Sequence, residues 1–521
     1  MPFKLTYSTM FDPPPELHDR FETALHEVKQ TLPGEHALWI AGRDARAPTT
    51  FEKRSPIDRD MLLGTFHQAG KAEVNAAVAA AAAAFPAWAS RNWQERVRIV
   101  RRVAEAIESR AFEIAAVVAL EIGKNRMEAL GDVQETADLI SWYCDQVEAN
   151  QGYVTPMQTD PLPGFISRNR SVLKPYGVWA VIAPFNFPVA LAGGPSGAAL
   201  VAGNTVVFKA SSDAPWSGRL LAECMRDAGI PDGVFNYVTG SGSVAGEALT
   251  GHVDVAGITF TGSYEIGMKL VRAVAKRGWP RPCIAEMGGK NATIVSANAD
   301  LERAALGIVR SAYGLQGQKC SACSRIYVEE PVAAALEDRL VEQIAAIRVG
   351  DPADRTNWMG PVINGGAYAK YRECCDELRR NGTILAGGKV FDEGDLARGY
   401  YCAPTLASAA LKHRFWREEL FLPIAMIAPV KSMDEAMRLA NASEFGLTAG
   451  FFGAKSEVDW FFRHIEAGVA YANRPQGATT GAWPGFQPFG GWKGSGSTGK
   501  AGGSIHYVQQ YLREQSQTVI D

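Results

Sequence analysis

Residues 177–213 read GVWAVIAPFNFPVALAGGPSGAALVAGNTVVFKASSD, and this stretch decides the fold. No charged residue occurs from Tyr176 to Phe208. A run this apolar belongs either to a membrane span or to a core buried on every side. Pro184, Asn186, Pro188, Gly193, Gly194, Pro195 and Asn204 would break a lipid-facing helix of roughly 20 residues. The run is therefore expected to be a buried β-α-β unit: strand GVWAVIA, a small-residue helix, strand TVVFKA. The same texture continues in GVFNYVTG, VAGITFTGS and ATIVSA, separated by helical stretches. Alternation of this kind predicts an α/β fold with a doubly wound parallel sheet.

Outward from this core, residues 16–31 and 72–150 read as helical, with Ala-rich and charge-punctuated periods such as EVNAAVAAAAAAF. Beyond Glu286 a second series of strands begins: RIYVEE, GTILAGGKVF, IAMIAPV and LTAGFFG. A domain boundary is expected near residue 285. Residues 471–503 are dense in glycine, and the interleaved Trp483, Phe486, Phe489 and Trp492 favour a shaped binding loop over a flexible linker. After it, IHYVQQYLREQSQTV alternates apolar and polar residues, as an exposed edge strand completing a sheet in a partner subunit would.

Composition narrows the class. The 521 residues carry 53 Lys+Arg and 56 Asp+Glu, a net charge of −3, with 47% hydrophobic residues. Disorder is excluded, and with no basic block neither nucleic acid nor a membrane surface is an expected partner. Eight cysteines in so long a chain fit a reducing compartment, and no secretory signal is read at the N-terminus, so the cytoplasm is expected.

Several residues could carry chemistry. Gly240, Gly242 and Ala245 give the G-x-G-x-x-A spacing after a strand, and Thr261-Gly262-Ser263 forms a second strand-to-helix turn with free N–H groups and a hydroxyl. Two such turns on successive β-α units point to a dinucleotide. Cys320 and Cys323 form C-x-x-C in GQKCSACSR, but no second ligand pair has zinc spacing, so no metal site is expected. A buried structural thiol and a nucleophile both remain open for Cys320 on this ground. Glu286, between an apolar strand and two glycines, suits a general base, and Asn186 at a strand end offers an amide donor for an oxyanion. Thiol, amide, carboxylate and dinucleotide site together describe oxidation of an aldehyde through a thioester.

These motifs, PFNFP, TFTGSYEIG, EMGGK, GQKCS, EELFLP and QPFGG, occur in an order that resembles the aldehyde dehydrogenase superfamily over essentially the full chain. AYGLQGQKCSACSR, TGAWPGFQPFGGWKGSG and LEIGKNRMEALGDVQETAD further resemble the branch that oxidises L-glutamate γ-semialdehyde, the open form of Δ1-pyrroline-5-carboxylate, to glutamate in proline catabolism. The resemblance implies Cys320 as nucleophile, Asn186 with the Cys320 N–H as oxyanion hole, and Glu286 as base for the deacylating water. NAD, with NADP accepted, would meet Ile182, Ala183, Pro184, Phe185, Lys209, Ser212, Gly242, Gly246, Ser263, Gly288, Glu419 and Phe421. Substrate would meet Glu135, Phe187, Ser321, Gly481, Ala482 and Phe489.

The resemblance also implies a Rossmann-type cofactor domain (1–155 and 178–285), a catalytic domain (286–494), and a small β arm (156–177 and 495–521) joining a homo-oligomer, dimeric or dimer-based. Three departures stand out: Ala210 where proline is usual, Leu422 where glycine is usual, and a longer loop between Arg474 and Thr480. Runner-up readings are oxidation of another semialdehyde or an aromatic aldehyde, a CoA-acylating dehydrogenase, and a non-catalytic protein on the same fold. Glu286 argues against the CoA-acylating branch, which needs no deacylating base.

Overall fold

A computed structural model describes residues 13–161, 163–276, 278–477 and 483–520. The apolar runs become strands buried on both faces. Val178–Ile182, Thr205–Lys209, Phe235–Val238, Val255–Thr261 and Cys283–Glu286 lie parallel in the spatial order 283, 255, 178, 205, 235, and antiparallel Leu38–Ile40 and Arg43–Ala45 extend the sheet to seven strands. The chain winds outward in both directions from Val178–Ile182. A sheet built this way opens a ligand crevice beyond its carboxyl ends, where the winding reverses. Register brings Ile182, Lys209, Val238 and Phe260 into one row at that edge, with Thr261 paired to Glu286.

The uncharged run is this sheet's centre. Its helix, Ala190–Val201, is a buried element of 12 residues, and among the described residues no helix is long and apolar enough to cross a membrane. The helix is small-faced for a packing reason: a β-carbon at Gly193, Gly194 or Gly197 would collide with Thr136, Leu139 or Ile140 of the neighbouring helix Arg126–Ala149. The helical stretches expected at 16–31 and 72–150 are Pro15–Gln30, Lys71–Ala89, Trp93–Ser109, Ala111–Ile122 and Arg126–Ala149.

A second seven-stranded sheet follows, in the order Thr383–Ala386, Thr405–Ser408, Ile424–Val430, Cys323–Glu329, Asn291–Val295, Thr448–Phe452, Val469–Ala472, antiparallel only at the first pair. Residues 287–290 link the carboxyl end of Cys283–Glu286 to the amino end of Asn291–Val295. The carboxyl edge of the first sheet thus adjoins the amino edge of the second.

A three-stranded antiparallel sheet joins Val154–Pro156, Ser167–Pro175 and Leu512–Ile520. Here the expected strand over 505–519 is shorter than its alternation suggested. Val508–Tyr511 is a 3-10 turn, and Tyr507 and Tyr511 are buried in the first unit's core. Aromatics four apart lie on one face of a helical turn, and that packing wins over strand extension. Leu512–Ile520 pairs with Ser167–Pro175 of its own chain, and its other edge carries no partner among the described residues.

Candidate active site

Cys320 ends a tightly held loop. After helix Leu301–Tyr313 the backbone passes through three successive left-handed residues, Leu315, Gln316 and Gly317, with φ of 47°, 57° and 67°. Two of these are not glycine, which costs on the order of 1–3 kcal/mol each and persists only under strong external constraint. The constraint is visible. Asn291 Nδ2 donates to the carbonyls of Cys320 (2.6 Å) and Ala322 (2.9 Å), while its Oδ1 accepts from Thr448 N–H at 2.9 Å. Asn186 Nδ2 donates to the Gln318 carbonyl at 3.0 Å, and Gln318 Oε1 accepts from Ile363 N–H at 2.9 Å. At Gly289 a β-carbon would overlap the Cys320 backbone carbonyl, so EMGGK requires that glycine, and at Gly288 it would displace the Glu419 carboxylate.

A cavity opens over this loop, and Cys320, Glu286, Phe187, Phe489 and Glu135 all line it. Burial pushes the Glu286 carboxyl up to about 8, against which a hydrogen bond from Gly491 N–H at 3.3 Å is weak. The Cys320 thiol is pushed up to about 12, first by burial and then by the Glu419 and Glu286 carboxylates. At neutral pH the thiol therefore keeps its proton until a base takes it. Ser321 is buried, its hydroxyl has no partner among the described residues, and its carbonyl accepts from Thr448 Oγ1 at 3.2 Å. Gly481 and Ala482 lie outside the described residues.

Behind Phe187 stands a buried ion pair absent from the sequence reading. Lys124 Nζ sits 3.7 Å from the Phe187 ring centroid and 3.0 Å from Asp132, both side chains fully buried, and Asp132 also accepts from Ala190 N–H at 2.9 Å. A second pair, Lys319 with Glu128 at 3.7 Å, flanks the cysteine, and Glu128 accepts from Leu315 N–H at 3.1 Å. Nothing local in LEIGKNRMEALGD marks Glu128 as a partner of Leu315 and Lys319, or Lys124 and Asp132 as partners of Phe187 and Ala190. Asn291 was equally silent, one polar residue at the start of an apolar strand.

The other side of the seam fits a dinucleotide. Lys209 is buried, its ammonium donates, among the described residues, only to the Ala210 carbonyl at 3.0 Å, and burial lowers it to about 8. An amine held without a carboxylate is poised for oxygen-rich groups of a ligand. Beside it, Gly246 faces the Lys209 stem, and Gly242 is open to solvent. Ser241 and Ser263 cap the turns that follow the 235–238 and 255–261 strands, with Ser263 exposed. Ile182, Ala183, Pro184 and Phe185 continue the central strand at the same edge, and the Phe185 ring meets Phe421 edge-on at 5.9 Å. Phe421 has a φ of 60°, a strained setting for an aromatic residue, beside Glu419, whose Oε1 accepts from Gly289 N–H at 2.9 Å. Ser212 Oγ donates to the Gly240 carbonyl at 3.1 Å, tying the two loops together.

The aldehyde dehydrogenase family model matches residues 42–517. The chain belongs to the aldehyde dehydrogenase family. It is 36% identical over 506 residues to a 1-pyrroline-5-carboxylate dehydrogenase of Geobacillus thermodenitrificans, covering 96% of this chain and 95% of that one. The solved 1-pyrroline-5-carboxylate dehydrogenase from Thermus with bound NAD superposes with a TM-score of 0.92 at 33% identity, covering 100% and 99% of the two chains. A 3,6-anhydro-L-galactose dehydrogenase superposes at 0.86 and 30% identity, covering 93% of this aldehyde dehydrogenase and 100% of its own chain. Fold likeness alone thus spans quite different aldehydes.

Proposed function

We propose that this aldehyde dehydrogenase oxidises L-glutamate γ-semialdehyde to L-glutamate with NAD, a reading supported by its likeness to 1-pyrroline-5-carboxylate dehydrogenases. The observation that carries the reading is one cavity in which a thiol, a high-pKa carboxyl and two aromatic rings face each other across the seam from the Lys209 edge. Cys320 is the nucleophile. Its sulfur adds to the aldehyde carbon as its proton passes to water, and the oxyanion that forms takes a donor from the Asn186 side chain, whose other N–H is fixed on Gln318. When bound, the dinucleotide supplies the acceptor for the hydride that the adduct gives up. Lys209, Ser212, Ser263, Gly242 and Gly246 would hold it at the first sheet's edge, with Glu419 and Phe421 at the second.

Glu286 then removes a proton from water as the water adds to the thioester carbon, and the acid leaves as the Cys320 thiolate departs. Phe187 and Phe489 flank the aliphatic chain, Ser321 with Gly481 and Ala482 anchors the α-carboxylate, and Glu135 faces the substrate. The first sheet with the N-terminal helices serves as cofactor domain and the second as catalytic domain. The free edge of Leu512–Ile520, with exposed Val519 and Ile520, joins a second copy, and eight unpaired cysteines suit the cytoplasm. Light scattering finding a monomer would overturn the assembly.

NADH formation with a panel of aldehydes tests the whole reading. The semialdehyde of glutamate should give the highest kcat/KM, with free glutamate as product. A higher value for an uncharged or aromatic aldehyde would overturn the substrate, and dependence on CoA would overturn the hydrolytic step.

A further inference from the structure

One wall of the cavity carries hydrogen bonding that the steps above leave without a role. Thr259, Tyr511 and Tyr507 form a line of buried hydroxyls: Thr259 Oγ1 lies 3.0 Å from Tyr511 Oη, which in turn donates to Tyr507 Oη at 3.2 Å. Proton directions follow from the order of the line. Since Tyr511 gives its proton to Tyr507, Thr259 donates to Tyr511, and the Tyr507 proton is left to point onward. Onward is the cavity, which Tyr507 lines together with Glu286 and Cys320.

Neighbouring rings hold the Tyr507 side chain in place. The Tyr507 ring stacks on Tyr143 at 5.1 Å and meets Tyr511 edge-on at 5.6 Å, while Tyr143 Oη is already occupied by Gly503 N–H at 3.0 Å. Strand register roots the line beneath the carboxylate: Thr261 pairs with Glu286, and Thr259 lies two residues earlier on the same face of the strand. Among the described residues Glu286 accepts from Gly491 alone, so its carboxylate has room for water.

We propose that Tyr507 is a positioning residue for hydrolysis, donating its hydroxyl proton to the water that Glu286 activates. The proposal rests on the roles given above to Cys320 and Glu286. The water accepts from Tyr507 on one lone pair, offers a proton to Glu286, and directs its other lone pair at the thioester carbon. On attack the C–O bond forms and the C–S bond breaks, the electron pair leaves on Cys320 Sγ, and the proton passes to Glu286. Tyr507 keeps its own proton throughout.

Stopped-flow NADH formation separates the two halves, because an initial burst reports thioester formation and the later steady rate reports hydrolysis. Tyr507→Phe should keep the burst rate within about two-fold of the parent and slow the steady rate roughly ten-fold, the loss expected of one oriented donor. Tyr511→Phe keeps the Tyr507 hydroxyl but removes the group that orients it, and should slow the same phase by roughly three-fold. An unchanged steady rate in Tyr507→Phe, or equal slowing of both phases, would overturn the proposal. Should Tyr507→Phe not fold, Tyr511→Phe decides alone: no selective slowing overturns it. Glu286→Gln tests the underlying reading separately, since it should retain the burst and lose the steady phase whatever Tyr507 does.

Discussion

The two sheets meet edge to edge and treat their functional residues in opposite ways. At the carboxyl edge of the first, the turns are open: Gly242 and Ser263 are exposed, and Lys209 is an amine without a carboxylate. At the amino edge of the second, the backbone around Cys320 is held by side chains: Asn291 bonds the Cys320 and Ala322 carbonyls and Thr448 N–H, Asn186 bonds the Gln318 carbonyl, and Gln318 bonds Ile363 N–H. An open edge suits a ligand that must come and go each cycle, whereas a clamped edge holds a nucleophile through two bond changes. Substitutions on the clamped side should hurt turnover most, and those on the open side should change cofactor use instead.

The largest effect belongs to the thiol. Cys320→Ala should abolish dehydrogenase turnover by at least roughly 10³-fold, while NADH still binds by fluorescence titration. Cys323, whose sulfur lies 3.2 Å from Thr293 Oγ1 beneath the sheet, should tolerate Ala with most activity kept. A dead Cys323→Ala with an active Cys320→Ala would reverse the assignment.

Removing the clamp comes next. Asn291→Ala leaves the Cys320 and Ala322 carbonyls without their donor, so kcat should fall about 10²-fold through misplacement of the sulfur. Stability should drop by about 1–3 kcal/mol, read from urea unfolding. An equal loss of kcat in Lys209→Ala, with KM for cofactor unmoved, would erase the distinction between the edges.

The contrast also explains what was legible in sequence. The open edge is written in local motifs, a strand followed by glycines and a hydroxyl, and local turn chemistry survives in a linear reading. So did the apolar strands, and Cys320 and Glu286, singled out from their motifs, line one cavity. The clamp is long-range: Asn291 meets Cys320, Lys124 meets Phe187, and Glu128 meets Leu315, none within a turn of the other. The polar strand Ser167–Pro175 was expected only through the resemblance, within the 156–177 arm, because its half-buried and exposed residues carry no core pattern. Tyr507 and Tyr511 were read as strand because alternation in one dimension does not reveal which aromatic packs inward.

A smaller effect is the pH response. Burial raises Glu286 to about 8, so its basic form grows as pH rises through that value, and the hydrolytic rate should climb up to about ten-fold per unit below it. Glu286→Gln should flatten that limb in single-turnover measurements. The same raised value is a stability statement with definite sign. The protonated carboxyl's contribution is full below the unfolded value near 4.5 and is lost as pH rises through about 8, so Glu286→Gln should lose less Tm between pH 6 and 9 than the parent.

The smallest expected effect lies on the open edge, in the choice between NAD and NADP. A carboxylate beside the adenosine ribose repels a 2′-phosphate, and Asp213 is the acidic residue next to Ser212. In the folded chain the Asp213 carboxylate accepts from Asn364 Nδ2, at 3.3 and 3.5 Å to its two oxygens, and it attracts the buried Lys53 ammonium. Both interactions engage it away from Ser212, whose hydroxyl is bonded to Gly240. NADP should therefore be used alongside NAD, with kcat/KM values less than roughly 10³-fold apart, about 4 kcal/mol. Asn364→Ala releases one restraint and should lower NADP binding a few-fold while leaving NAD binding unchanged, measured by fluorescence titration of each reduced cofactor. If NAD is preferred beyond that limit in the parent, an acidic group still guards the ribose, and the open edge is more selective than its hydrogen bonding implies.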